Sequence, residues 1–126
     1  MENKQIELRI LADQFSVCQI SSPAYIPFEE EFVFVGKTDE ELSLVCRTQA
    51  VPVQTAVRED GWRALKIQGV LDFSLVGILA GITSILADAK ISVFAVSTYN
   101  TDYLFIRKDF IEQAEDALRE NGYTFL

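Results

Sequence analysis

Histidine is absent from this chain of 126 residues, and cysteine is scarce, with Cys18 and Cys46 alone. Without histidine, the Ser-His and Cys-His catalytic pairs, the commonest general base and most zinc sites are excluded. Each cysteine lies in an apolar, strand-like run and no CxxC motif is present, so we expect two reduced thiols in the core. The sequence therefore predicts no catalytic residue, no metal site and no cofactor.

Basic residues and long apolar runs are scarce as well. The chain has eleven Lys and Arg residues and nineteen Asp and Glu residues, which gives a net charge of −8. Nucleic-acid binding needs clustered basic groups that release counterions from the phosphates, so this charge argues against it. No stretch reaches the roughly 20 apolar residues that a membrane helix requires, and the first ten residues lack an apolar secretory segment. We expect a cytoplasmic protein with neither a nucleic-acid nor a membrane partner.

The second half of the chain carries the clearest pattern. Four segments alternate or are rich in β-branched residues, which predicts strands: 62–70, 91–98, 103–107 and 123–126. Apolar residues at helical spacing predict helices over 74–89 and 109–121, and Gly122 follows the second helix as a left-handed cap. The order β-α-β-β-α-β is the split βαβ arrangement of ferredoxin-like α+β folds.

The first half is a looser version of the same plan. Four segments have strand-like patterns: 6–11, 15–20, 32–36 and 42–46. Pro23 and Pro27 exclude a long helix between the second and the third of these segments. Segment 51–60 is predicted to be a short helix or a loop that ends in an Asp-Gly turn.

An internal repeat connects the two halves. A shift of 61 residues superimposes the two hairpins and places Glu41 on Asp102 and Val45 on Ile106. Few letters are identical, but the pattern of strand, polar turn, acid and strand recurs. We therefore predict two modules, residues 1–60 and 61–126, which bury more core together than either would alone.

Several runs strongly resemble a family of small bacterial proteins that contain two ACT modules in tandem. These runs are GVLDFSLVGIL at 69–79, ISVFAVSTYNTDY at 91–103, TDEELSLV at 38–45 and DGW at 60–62. The same pattern is similar to the ACT modules of the CASTOR arginine sensors of animal cells. The resemblance covers the chain from about Leu8 to Gly122. It implies an α+β fold of two tandem ferredoxin-like (βαββαβ) ACT modules, the first one degenerate because a proline-bearing loop replaces its first helix.

The same resemblance implies a regulatory protein that binds an amino acid and has no enzymatic activity. In ACT modules the ligand sits at an interface between modules, by the start of the first helix and an adjacent strand. The positions so implied are Ser74, Leu75, Val76, Gly77 and Ile78 at the helix start, Thr98, Tyr99, Asn100, Thr101 and Asp102 at the turn, and Thr38 and Ser43 in the first module.

The chemistry of these residues suits an α-amino acid, although each has a structural alternative. The first turn of a helix offers unpaired N–H groups and a partial positive charge to the ligand carboxylate. Asp102 offers a charged acceptor to the ammonium group, and Gly77 lets a ligand approach closely. Alternatively, Gly77 and Gly81 permit tight helix packing, Asp102 caps a turn, and Ser74 caps the helix.

Two other functions compete with ligand binding. A ligand-free interaction module fits the apolar content, and pairing of free sheet edges would allow a homodimer. Acyl-phosphate hydrolysis needs an anion cradle, whereas the arginines lie in or beside strands with no glycine-rich loop. The side chain of the ligand and the identity of a regulated protein partner cannot be read from these residues.

Overall fold

The computed structural model describes residues 6–68 and 77–126. Over these residues the strands are β1 (Glu7–Ile20), β2 (Phe34–Lys37), β3 (Leu42–Arg47), β4 (Thr55–Ile67), β5 (Val93–Ser97), β6 (Asp102–Arg107) and β7 (Thr124–Phe125). The helices are α1 (Ile78–Asp88) and α2 (Ile111–Glu120), with short 3-10 turns at Pro23–Tyr25, Thr48–Ala50 and Lys108–Phe110. Within the described ranges, neither helix has the length and apolar character to cross a membrane.

The chain divides into two compact units. The C-terminal unit contains the described residues up to Ala12 and from Arg63 onward, and the middle unit is Asp13–Trp62. This division differs from the predicted modules of 1–60 and 61–126, because the first residues of β1 pair within the C-terminal unit. Glu7 and Leu8 lie in parallel register with Thr124 and Phe125 of β7, and the Glu7 carbonyl accepts a 2.9 Å hydrogen bond from the Gln68 amide.

The C-terminal unit has the predicted order β-α-β-β-α-β, from β4 through α1, β5, β6 and α2 to β7. Strand β6 lies between β4 and β5. Apolar side chains of the strands and both helices form one core because each helix turns its apolar stripe toward the sheet. Fully buried members are Leu8, Leu65, Ile82, Leu86, Leu104, Ile106, Ala114 and Leu118. The ferredoxin-like α+β fold predicted for this half is confirmed.

Both helices begin later in the chain than predicted, whereas the C-terminal end of α2 agrees with the prediction. Helix α1 begins at Ile78 because Gly77 has a left-handed φ of 81°, which a right-handed helix does not contain. The predicted start at Ser74 lies outside the described residues. Gly122, with a φ of 96°, ends α2 as predicted. The Tyr123 amide donates a 3.1 Å hydrogen bond to the Leu118 carbonyl, as in a Schellman cap.

The middle unit, every residue of which is described, keeps the strands of a ferredoxin-like module without its α-helices. Its strands lie in the order β2-β3-β1-β4. The 3-10 turn Pro23–Tyr25, capped by the Ser22 hydroxyl 3.1 Å from the Ala24 amide, occupies the place of the first helix in the chain order. The predicted proline-bearing replacement, and hence the degenerate first module, is confirmed.

Two local predictions for this half are wrong. Segments 6–11 and 15–20 form one continuous strand, β1. The predicted helix or loop over 51–60 is largely strand, because β4 begins at Thr55 and continues through Gly61, whose φ is 92°. The prediction failed because residues 56–60 are exposed and so show no alternation of apolar and polar residues.

The structural repeat has a period of sixty residues and not 61. The Thr38 amide donates to the Glu41 carbonyl at 2.9 Å, and the Thr98 amide donates to the Thr101 carbonyl at the same distance. The strand registers agree, since Phe34 faces Val45 on β3 and Phe94 faces Phe105 on β6.

The corrected period changes which acid corresponds to which residue. Glu41 corresponds to Thr101, and Asp102 corresponds to Leu42, so the predicted pairing of Glu41 with Asp102 is wrong. Shifting the alignment of the two hairpins by one residue changes which side of the sheet each aligned side chain occupies, because successive strand residues face opposite sides. The error arose because few letters of the two hairpins are identical.

One buried hydroxyl connects three segments of the middle unit. The Ser16 side chain is fully buried, and its Oγ lies 2.5 Å from Asp60 Oδ1 and 3.0 Å from Thr48 Oγ1. Arg58 Nη2 also donates to Asp60 Oδ1 at 3.0 Å. The Ser16 hydrogen bond, followed by that of Arg58, lowers the pKa of Asp60 below its usual value.

We predict that Asp60→Asn weakens the acid dependence of stability. Because the folded-state pKa of Asp60 is lowered, its stabilisation is present above the unfolded-state pKa and is lost as the pH falls through the folded-state value. Urea unfolding at several pH values between neutral and strongly acidic conditions should therefore show a smaller loss of stability in the variant. An equal loss of stability at acidic pH in the variant and in the unchanged protein would contradict this assignment.

We further predict that Leu104→Ala lowers the free energy of unfolding by about 2–5 kcal/mol, because it leaves a cavity under both helices. Leu104 is fully buried, whereas Val53 is 91% exposed. Val53→Ala is therefore the matched control, with an expected change within about 0.5 kcal/mol. Chemical denaturation of the two variants checks this, and equal losses would contradict the proposed core.

Candidate functional site

The predicted turn between β5 and β6 is held by its own hydrogen bonds. The Thr98 amide and hydroxyl donate to the Thr101 carbonyl at 2.9 and 3.0 Å. Ser97 and Asp102 face each other as the last pair of the two strands. Tyr99, which is 81% exposed, and the exposed Asn100 form the tip of the turn. The five predicted turn residues therefore lie together, and three of them, Thr98, Tyr99 and Asn100, are exposed.

Thr101 fastens this turn to the end of another strand. Its side chain is 4% exposed, and its Oγ1 donates a 2.8 Å hydrogen bond to the carbonyl of Ile67, the last residue of β4. The turn is thereby fixed beside the point where the chain leaves β4 toward α1. The Thr101 hydroxyl proton is therefore used by the backbone.

Asp102 is the half-buried first residue of β6. Side chains two and four residues further along, Leu104 and Ile106, belong to the core shared with α1 and α2. Since alternate residues of a strand share a face, Asp102 lies on the side of the sheet that the helices cover. Within the described part of the chain, no side-chain hydrogen bond or ion pair reaches its carboxylate.

The start of α1 has backbone groups and open space that could accommodate a ligand. Gly77 is exposed, and a Cβ built on it would meet nothing within 4 Å. Its carbonyl accepts the first hydrogen bond of the helix, from the Gly81 amide at 2.8 Å. Ile78 is only 9% exposed and packs in the core, so of this residue only the backbone N–H remains as a candidate ligand contact. Ser74, Leu75 and Val76 lie outside the described residues.

The corresponding turn of the middle unit uses its polar groups internally. The Thr38 hydroxyl accepts hydrogen bonds from the Glu40 and Glu41 amides, each at 3.1 Å. The Ser43 hydroxyl donates to Glu41 Oε1 at 2.7 Å, and Gln19 Nε2 donates to the same oxygen at 3.3 Å. The two predicted ligand contacts of this unit, Thr38 and Ser43, are thus already engaged with neighbouring residues.

Sequence reasoning missed one buried polar atom close to the turn. Gln68 Oε1, which follows the end of β4, is buried and has no hydrogen-bond partner among the residues that the structure describes. A single glutamine carries no sequence signal that could have identified it. Over 6–68 and 77–126, no group of three or more potential metal ligands occurs.

The family model of the ACT domain matches residues 57–120. A second family model, of an N-terminal domain, matches residues 13–54. The comparison with curated proteins finds no match.

Solved structures similar to this chain come from several bacteria. A structural-genomics protein from Agobacterium tumefaciens is 31% identical with a TM-score of 0.84, over 96% of this chain and 92% of that one. A protein of unknown function from Vibrio cholerae, described as a possible transport protein, is 22% identical with a TM-score of 0.73, over 96% and 93%. The ligand-free regulatory subunit of aspartate kinase from Thermus thermophilus is 13% identical with a TM-score of 0.61, over 90% and 95%. The last two bear on the fold alone.

We predict that Gly77→Ala lowers the free energy of unfolding by about 1–2 kcal/mol, because a Cβ is strained at left-handed φ. Space is not the cause, since the position is open. Gly36→Ala is the matched control: its Cβ also meets nothing within 4 Å, and its φ is not left-handed. Urea denaturation of both variants checks this. Similar losses at the two positions would contradict the conformational role of Gly77.

Proposed function

Because the chain belongs to the ACT domain family, we propose that it binds a small amino acid in the C-terminal unit and catalyses no reaction. The proposed site is made of the 98–102 turn, which Thr101 joins to the end of β4, and the start of α1. The observation that carries the proposal is the Asp102 carboxylate, which is half-buried on the helix-covered side of the sheet and has no partner among the described residues.

Each end of an α-amino acid meets a complementary group at this site. The ammonium donates charge-assisted hydrogen bonds to Asp102. The carboxylate accepts from the free N–H groups in the first turn of α1, where the helix dipole adds a partial positive charge. The open space at Gly77 lets the carboxylate approach the backbone closely. Specificity follows from polar groups that stay unpaired with a wrong ligand.

The proposed role is regulatory. It draws support from the fold shared with the regulatory subunit of Thermus thermophilus aspartate kinase. Regulation requires that the amino acid binds two states of the protein with different affinity. The predicted ligand position at a module interface, the cytoplasmic location, a homodimer and a regulated protein partner all stay predictions.

We predict that calorimetric titration with the twenty amino acids identifies at least one ligand, and that Asp102→Asn weakens its binding at least tenfold. The variant keeps the size of the side chain and removes the charge that pairs with the ammonium. Asp39→Asn makes the same chemical change in the corresponding turn of the middle unit and should leave the affinity unchanged. Silence across the whole panel at millimolar ligand would favour the alternative, a ligand-free interaction module.

We also predict one bound ligand per chain. In the middle unit Leu42 stands where the C-terminal unit has Asp102, and Glu41 engages the neighbouring Ser43 hydroxyl. Unlike the C-terminal unit, this unit has no α-helix to supply free N–H groups. Equilibrium dialysis at saturating ligand should therefore give a ratio near one. Two equivalent ligands per chain would contradict the difference between the two turns.

A further inference from the structure

Two cysteine side chains belong to one buried apolar cluster of the middle unit. Cys18 on β1 is 3% exposed and Cys46 on β3 is 0% exposed. Cys18 faces Leu44 across the ladder while Cys46 faces Ser16, so the cysteines are diagonal neighbours on one face of the sheet. The proposed amino-acid site uses neither thiol.

The surroundings of the thiols restrict what could bind between them. Their apolar cluster includes Ile20, Ile26 and Leu44. Ala50 of the Thr48–Ala50 3-10 turn and the following Val51 pack against it. In the described residues no third carboxylate or thiol joins the cysteines to complete a metal-binding group, and the chain has no histidine. A cation at this position would therefore have two sulfur ligands.

The diagonal arrangement favours a bridging ion over a direct sulfur–sulfur bond. Diagonal neighbours on antiparallel strands have Cα atoms about 7–8 Å apart. A disulfide cannot join Cα atoms more than about 7 Å apart without backbone movement. An ion between the two sulfurs spans the extra distance. Zinc and iron–sulfur clusters take four ligands, whereas soft monovalent cations such as Cu(I) accept thiolates and form stable complexes with two of them.

We propose that Cys18 and Cys46 form a buried two-coordinate site for a soft monovalent cation, with Cu(I) as the ion it takes. Two S–H bonds break and two copper–sulfur bonds form. Two protons pass to solvent, and neither copper nor sulfur changes its oxidation state. The resulting bis-thiolate complex carries one net negative charge.

An anaerobic competition experiment tests the site on the full, reduced chain. Cu(I) is supplied as its coloured bicinchoninate complex, and the loss of colour measures transfer to the protein. We expect one Cu(I) per chain, with an ultraviolet sulfur-to-copper charge-transfer band and a higher thermal unfolding temperature. X-ray absorption of the copper-loaded chain should give two sulfur neighbours. A chain that withdraws no copper, or copper bound to nitrogen or oxygen, would overturn the proposal.

Variants and a second metal make the test specific. Cys18→Ser and Cys46→Ser should each reduce copper transfer at least tenfold. Val17→Ala, a change on β1 beside Cys18 but on the opposite face of the strand, should leave the transfer unchanged. Zn(II) should not bind under the same competition, since it lacks the further ligands it prefers. Equal copper transfer by the serine variants, or zinc binding as tight as that of copper, would contradict a two-thiolate site.

Discussion

A single hydrogen bond, from the Thr101 hydroxyl to the Ile67 carbonyl, determines where the candidate site lies. It joins residues 34 positions apart in the chain and is buried, at 2.8 Å. In a buried setting both groups lose water, so breaking the bond leaves two polar atoms unsatisfied. The bond therefore fixes the turn before β6 beside the end of β4. Asp102, the next residue, is held at that junction, and the start of α1 follows further along the same connection.

The two units contain the same hairpin turn but differ in the polar groups around it. Thr38 and Thr98 close their turns with the same backbone hydrogen bond. The acidic residue at the end of the turn differs. In the middle unit it is Glu41, which accepts a hydrogen bond from Ser43. In the C-terminal unit Thr101 occupies that position, and the acid is the next residue, Asp102, whose carboxylate has no hydrogen-bond partner among the described residues. The middle unit has also exchanged its helices for short 3-10 turns. Its packed apolar cluster instead encloses the two thiols.

Strong local patterns allowed much of the fold to be predicted from the sequence. The apolar stripes of α1 and α2, Gly122 and the two prolines each predicted an element that the structure contains. The ACT part of the family resemblance is confirmed, and the narrower likeness to the CASTOR arginine sensors stays a prediction. The start of β4 was missed because its exposed residues carry no periodic signal. The Thr101 bond was missed because a tertiary contact between distant residues leaves no local pattern.

The central claim is that an amino acid binds between the start of α1 and the turn that Thr101 holds. The most direct measurement is the change in backbone amide chemical shifts when an amino acid is added to the isotope-labelled chain. If an amino acid binds there, the largest changes occur at Gly77, Ile78 and residues 98–102. Changes centred on the Thr38–Glu41 turn of the middle unit, or none at any of these amides with every amino acid, would contradict it.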